Sequence, residues 1–168
     1  MRIATLVLLL IHSSFVFSQE KFKIKSIESD AGIYKLSNEN LSRLLYGSLD
    51  ITASYKLNLF TLSNNFGLGF GENENDNTHF EGLYEVDLLY GKEFKLYEKI
   101  FLETYSGIGF ITQNNTTQND EKQSLAFPIK LKLLYYTGKK FATGLNPNIS
   151  FNNVNTIYSL NFIFRLNF

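Results

Sequence analysis

Residues 158–168 read YSLNFIFRLNF and carry the strongest structural signal in the chain. Every second side chain is apolar, and most of these are aromatic, whereas the intervening ones are polar except for one isoleucine. Because successive side chains of a β-strand point to opposite faces, this alternation predicts a strand with one face in apolar surroundings. The apolar face comprises Tyr158, Leu160, Phe162, Phe164, Leu166 and Phe168, and the other face comprises Ser159, Asn161, Ile163, Arg165 and Asn167.

The same period of two recurs along the chain, and no window from residue 19 onward predicts a helix. The first strand changes phase near Lys25 and Ser26, which predicts a β-bulge. Pro128 and Pro147 fall inside strands and each removes a ladder donor, so we expect local irregularity there. The eight predicted strands cover residues 22–34, 45–57, 60–70, 80–90, 100–111, 125–136, 141–151 and 158–168.

The connections differ in length and polarity along the chain. Three are predicted as turns at 56–58, 91–99 and 137–139, and a short loop follows at 152–155. Three others are longer or more polar, at 35–44, 71–79 and 112–124. Strands mostly of about ten to thirteen residues, with short turns at one end and polar loops at the other, are typical of membrane β-barrels, whose strands need about 9–11 residues.

The polar face carries charges that we expect to point into the barrel. Five acids oppose four bases, and mutual pairing would offset much of the cost of burying them. The pattern therefore predicts an interior filled by ion pairs, and an ion path or proton relay is the sharper alternative. The predicted inward charges are Asp50, Lys56, Glu81, Glu85, Asp87, Glu103, Lys130, Lys132 and Arg165.

The N-terminus predicts export. Met1 and Arg2 form a basic start, residues 3–11 are apolar apart from Thr5, and Val16 and Ser18 precede a cleavage site before Gln19. This is the pattern of a secretory signal peptide. We therefore expect residues 1–18 to be cleaved and 19–168 to form one barrel domain. There is no cysteine, so no disulfide and no thiol-linked lipid anchor can form.

Overall charge gives no case for nucleic-acid binding. The chain has 16 basic and 16 acidic residues, and removing Arg2 with the signal peptide leaves a net charge of −1. Nucleic-acid binding needs a basic patch. Aromatic residues make up 15% of the chain, all of them Phe or Tyr, and outer-membrane barrels use such residues as interfacial girdles. Those near strand ends are Tyr55, Phe60, Tyr90, Tyr135 and Phe141.

Candidates for chemistry are weak. His79, with Ser124 and Asp120, resembles the residue types of a barrel lipase, but nothing in the sequence brings them together. The glycines from 67 to 71 lack a following helix and the full dinucleotide spacing. Acids at 72, 74 and 76 do not meet the EF-hand spacing. We therefore predict no catalytic residue, metal site or cofactor, and the sequence identifies no ligand.

The chain resembles the small eight-stranded outer-membrane barrels of the OmpA-domain and OmpX-like group. Segments 89–110 (LYGKEFKLYEKIFLETYSGIGF) and 125–151 (LAFPIKLKLLYYTGKKFATGLNPNISF) look like the version common in Bacteroidetes. The resemblance implies an all-β, eight-stranded antiparallel up-and-down transmembrane barrel in the cell outer membrane, a monomer with membrane lipid as its surroundings. It also implies handling by the barrel assembly machinery through a signal formed by Tyr158, Phe162, Phe164, Leu166 and Phe168.

The resemblance carries no single function, because such barrels include adhesins, structural anchors and small enzymes. We expect a structural or cell-surface interaction role without enzymatic activity, with an unknown surface partner. The alternatives are a lipid-modifying barrel enzyme, a narrow porin-like pore, and a soluble lipocalin-like barrel that would turn its apolar face inward around a ligand. Solubility without detergent separates the last of these from the first two.

Overall fold

A computed structural model describes residues 22–37, 43–72, 78–115 and 120–168. The predicted signal peptide lies outside these ranges. The described residues form eight strands and contain no helix long and apolar enough to span a bilayer. The strands are β1 (Lys23–Leu36), β2 (Arg43–Tyr55), β3 (Asn58–Glu72), β4 (Thr78–Tyr97), β5 (Ile100–Asn115), β6 (Asp120–Tyr136), β7 (Phe141–Asn152) and β8 (Ile157–Asn167).

The sheet closes on itself. Each strand pairs antiparallel with the next, and β8 pairs with β1, placing Phe164 opposite Ser29 and Ile157 opposite Leu36. Closure satisfies the edge strands that an open sheet would leave unpaired. The predicted fold class, a closed eight-stranded antiparallel barrel, is confirmed.

The two faces of the strands sort as the alternation predicts. On β8, Phe162 and Phe164 are 44% and 61% exposed, whereas Asn161 and Arg165 are 1% and 2% exposed. Phe162 and Phe164 therefore lie on the outer surface and Asn161 and Arg165 in the interior. The same division holds for the described side chains of β3 and β7 and for β6 from Leu125 to Leu134. An eight-stranded barrel is just wide enough for such inward side chains to fill it.

The predicted bulge in β1 is confirmed. Ile24 pairs with Ala53 but Ser26 pairs with Thr52, so Lys25 is the extra residue on β1. Because one inserted residue reverses the side-chain phase, Ser26 turns inward and is fully buried.

Strand β4 is longer than predicted. The expected turn at 91–99 is wrong, because β4 continues to Tyr97 and pairs with β5 through Lys95 opposite Phe101. Gly91, Lys92 and Glu93 interrupt the apolar pattern here, but their backbones remain in the ladder. Gly91 leaves room for Tyr105, whose ring would clash with any Cβ at that position.

Two of the predicted long loops are also shorter than expected. Asn115 pairs with Asp120 across the β5–β6 connection, so strand structure occupies most of the predicted loop at 112–124. In the predicted loop at 71–79, Glu72 pairs with Thr78 across the β3–β4 connection, and 73–77 lie outside the described residues. The ladder therefore extends into Asn- and Gln-rich sequence that the alternation does not mark as strand.

Both prolines interrupt pairing without shifting the register. The β5–β6 ladder breaks between Ser106 opposite Ile129 and Gly109 opposite Ala126, which spans Pro128. The β6–β7 ladder breaks across Pro147 in the same way. The expected irregularity is present, and it is a gap in the ladder with no inserted residue.

The barrel has two distinct ends. One end carries the tight connections at 56–57, 98–99 and 137–140 together with Phe168, and we call it the short-turn end. The other carries the connections near 37–42, 73–77, 116–119 and 153–156, and we call it the long-loop end. Lys56 opens the first tight turn with φ of 56°, a left-handed conformation that residues other than glycine seldom adopt.

Candidate functional site in the barrel interior

Arg165 is the centre of an ion-pair network inside the barrel. Its Nε donates to Glu28 Oε2 at 2.8 Å, and its two terminal nitrogens donate to both carboxylate oxygens of Glu103 at 2.8 and 2.5 Å. All three side chains are buried. The fork-shaped guanidinium suits this bidentate contact, and it links β8 to β1 and β5 across the interior.

Two lysines extend this network toward other strands. Lys132 on β6 pairs with Glu28 and also with Asp50 Oδ2 at 2.7 Å. Lys25, the residue at the bulge, pairs with Glu93 and with Glu103 Oε1 at 2.8 Å. The short-turn half of the interior is therefore a continuous chain of alternating charges that joins the strands across the barrel.

Lys130 sits deeper toward the long-loop end and is held mainly by neutral groups. Its Nζ donates to Ser63 Oγ at 2.6 Å and to Asn65 Oδ1 at 2.9 Å, and lies 3.6 Å from Asp87 Oδ2. Asn65 in turn donates to Asp87 Oδ2 at 2.8 Å. The lysine charge is thus shared between one carboxylate and two polar acceptors.

The long-loop half of the interior is richer in carboxylates than in bases. Ser150 donates to Glu85 Oε1 at 2.5 Å, and Asn146 donates to Asp30 Oδ2 at 2.7 Å. The second oxygens of Glu85, Asp87 and Asp30 have no hydrogen-bond partner among the described residues. Ion pairing is therefore complete near the short-turn end and incomplete above it.

Two clusters of buried apolar side chains lie inside the barrel. Toward the short-turn end, Leu59, Leu89 and Tyr105 pack together. Toward the long-loop end a larger cluster fills the section of the barrel above the carboxylates, and it comprises Tyr34, Leu36, Tyr46, Leu83, Ile111, Ala126 and Ile157. Together with the ion-paired side chains, these two clusters fill much of the described part of the interior.

Most of the predicted inward charges lie together in this core. These are Asp50, Glu85, Asp87, Glu103, Lys130, Lys132 and Arg165, each at most 2% exposed. The prediction that Lys56 points inward is wrong. Lys56 is exposed in the β2–β3 turn, where its ammonium lies 5.7 Å from the ring centroid of Tyr55. The chain reverses at this residue, so the alternation of β2 does not continue through it. Glu81 is on β4, but its side chain lies outside the described part of the structure.

The predicted set of inward charges misses four members of the network. Glu28 and Asp30 follow the bulge, and alternate there with outward Ile27, Ser29 and Ala31, so the change of phase at Lys25 is the signal that could have found them. Glu93 falls within the predicted turn at 91–99. These acids and Lys25 complete a network that the sequence shows only in part.

The outer surface is apolar around the barrel. Aromatic side chains gather toward the short-turn end, where Phe60 lies 5.7 Å from Phe22 and 5.6 Å from Tyr90 between ring centroids. Tyr135 and Phe141 are exposed at the same end. The residues of the predicted assembly signal on β8 are also exposed, namely Tyr158, Phe162, Phe164, Leu166 and Phe168.

The structure gives no support for the catalytic candidates. The side chains of His79 and Asp120 lie outside its described part. The Ser124 hydroxyl donates to its neighbour Leu125 O at 3.0 Å and accepts from Asn153 N at 3.3 Å. Within 22–37, 43–72, 78–115 and 120–168, no three His, Cys, Asp or Glu side chains are grouped to hold a metal ion.

Comparison with known proteins identifies the fold. No protein-family model and no curated protein sequence matches the chain. Among solved structures, Neisserial surface protein A aligns with a TM-score of 0.74 and 9% identity over 89% of this chain and 100% of its own. The attachment invasion locus protein of Yersinia pestis aligns with a TM-score of 0.56 and 12% identity over 87% and 99%.

A third match is the N-terminal β-barrel domain of Pseudomonas aeruginosa OprF, with a TM-score of 0.54 and 14% identity over 88% and 100% of the two chains. The closed eight-stranded architecture is that of outer-membrane barrel structures. At these identities the likeness shows a shared fold.

Proposed function

We propose that this chain is an outer-membrane β-barrel with a structural or cell-surface interaction role, exported through a cleaved signal peptide at 1–18. The barrel acts as a monomeric membrane scaffold whose filled interior holds its shape, while its long-loop end faces the cell exterior and meets an unknown partner. In this proposal it is a member of the OmpX-like type found in Bacteroidetes.

The observation that supports the proposal is the distribution of apolar and charged side chains, which is the reverse of that in a soluble barrel. Large apolar side chains such as Leu88 and Phe164, 63% and 61% exposed, cover the outside, and charged residues fill the inside. A soluble barrel needs the opposite arrangement, because water would otherwise contact the apolar face. In a bilayer this arrangement is favourable, and the closed ladder satisfies the backbone. A soluble lipocalin-like barrel does not fit this arrangement.

A pore and a lipid-modifying enzyme both lack support in the interior. A narrow pore needs a continuous water path, and the buried ion pairs around Arg165 and the apolar cluster around Ile111 oppose one. A lipid-modifying enzyme needs a nucleophile with an adjacent base, and the described hydrogen bonds of the Ser124 hydroxyl are to backbone groups of Leu125 and Asn153. The likeness to Neisserial surface protein A and to the attachment invasion locus protein supports a surface role.

The location has a direct test. The mature protein should sediment with the outer membrane and should migrate differently on gels before and after boiling, because closed barrels resist unfolding by detergent until heated. Export of a version with the apolar stretch 3–11 interrupted by charge should fail. Recovery of the folded protein in the periplasmic soluble fraction would refute the proposal.

The outward residues of β8 support a second part of the proposal, recognition by the barrel assembly machinery. Phe168 is 72% exposed, and its backbone nitrogen donates to Lys25 O at 2.9 Å. Phe168→Tyr should assemble normally, whereas Phe168→Asp should reduce outer-membrane levels in cells without lowering the stability of protein refolded in detergent. If Phe168→Asp assembles like the parent protein, this residue is not part of a recognition signal.

A further inference from the structure

The outer surface contains a groove where β7, β8 and β1 meet near the short-turn end. It has a volume of about 330 Å³ and an almost wholly apolar lining. Its floor is backbone, since Glu28, Ala142 and Arg165 direct their side chains into the interior. Two rows of outward side chains line it, Phe141, Leu166 and Ile27 in the first, and Thr143, Phe164 and Ser29 in the second.

The groove arises from a contrast in side-chain size. Phe141 and Phe164 are 60% and 61% exposed and rise from the surface as walls. Thr143 is short, so the surface dips between the two rings, and the short Ser29 lies on the other side of Phe164. Phe162 packs edge-on against Phe164 with 4.9 Å between ring centroids, which holds one wall in place. A linear apolar chain therefore fits this groove better than an occupant with a flat surface does.

Positive charge lies at the end of this groove. Lys139 and Lys140 are exposed in the turn that leads directly into Phe141. The turn is tied to β8, because Lys140 O accepts from the backbone nitrogen of Asn167 at 2.7 Å. Exposed lysines surround the short-turn end more generally, at Lys23, Lys56, Lys92, Lys95, Lys99, Lys139 and Lys140.

We propose that this groove binds an anionic glycerophospholipid of the leaflet at the short-turn end. One acyl chain lies between Phe141 and Phe164, and the phosphate lies at Lys139 and Lys140. The inference rests on the proposed membrane location. Charge complementarity selects the headgroup, because basic residues next to the acyl region attract anionic lipid by about 1 kcal/mol each, which is about fivefold in affinity.

The test compares lipid retained by the refolded protein in native mass spectrometry. Palmitoyl-oleoyl phosphatidylglycerol should remain bound more than the phosphatidylcholine with the same chains. The double variant Lys139→Gln/Lys140→Gln should lower phosphatidylglycerol affinity by about fivefold for each lysine removed. The matched control, Lys95→Gln/Lys99→Gln, removes two exposed lysines at the same end on the β4–β5 hairpin and should have little effect.

A second pair of variants tests the groove itself. Thr143→Phe fills it and should reduce retention of both lipids, whereas Thr104→Phe makes the same change on the outward face of β5 and should not. Equal retention of the two lipids, or equal losses in the matched controls, would overturn the proposed site. These outcomes are distinct from failure of the membrane location, which would appear as absence of the heat-dependent gel shift and of outer-membrane sedimentation.

Discussion

Replacing Arg165 with Met should lower the free energy of unfolding by about 3–5 kcal/mol, the cost of leaving buried partner charges uncompensated. Arg165 is 2% exposed and makes three hydrogen bonds to Glu28 and Glu103. Without it, Glu28 retains Lys132 and Glu103 retains Lys25, but a negative charge remains in excess. Urea unfolding of the refolded barrel, followed by far-UV circular dichroism, measures the difference.

Two controls isolate the buried charge. Lys99→Met removes the same charge from an exposed turn and should change stability by less than about 1 kcal/mol. The double variant Arg165→Met/Glu103→Gln removes both partners and should recover part of the loss, because a neutral pair costs less to bury than a lone carboxylate. A single variant as stable as the parent would mean that water solvates this part of the interior.

Leu88→Arg should destabilise the lipid-embedded barrel by about 2–4 kcal/mol, the depth-dependent cost of a cation on the lipid face. Leu88 is 63% exposed on β4, between outward Leu62 on β3 and Ile108 on β5. In a soluble protein the same change at an exposed position would be nearly neutral. Unfolding titrations in phospholipid vesicles measure the effect.

The matched control is Leu57→Arg. Leu57 is 79% exposed in the β2–β3 turn at the end of the barrel, where the cost of arginine should fall to about 0–1 kcal/mol. The difference in the free energy of unfolding between the two variants measures how much deeper Leu88 lies in the membrane than Leu57. If both variants have the same small effect, Leu88 is in water and the membrane assignment is wrong.

Sequence alternation predicts this fold well wherever the two faces meet different surroundings. On β8 the contrast between outward Phe164 and inward Arg165 is large, and the strand, its phase and its burial follow from the sequence. The signal is interrupted by Gly91, Lys92 and Glu93 where β4 continues past Tyr90, and it is lost where both faces are polar, as in the extension of β6 back to Asp120. There the backbone still pairs, but hydrophobicity no longer differs between the faces.

The ion-pair network in the interior is harder to predict from the sequence than the fold is. Which side chains face inward follows from phase, but which of them meet depends on strand tilt and stagger. Arg165 reaches Glu103 on β5, three strands away around the barrel, and nothing in local spacing reports that contact. Lys56 shows a second source of error. The alternation of β2 looks continuous through Lys56 in the sequence, but the chain reverses there and the side chain does not point inward.

The long-range reach of Arg165 has a consequence for the order of folding events. Its contact with Glu28 joins residues 137 positions apart, and its contact with Glu103 joins residues 62 apart. The contact with Glu28 cannot form until β8 meets β1, so an open sheet carries Arg165 and Glu28 apart. Interactions made after the main barrier slow unfolding and leave the folding rate nearly unchanged. The network should therefore slow unfolding of the closed barrel and give it a long lifetime in the membrane.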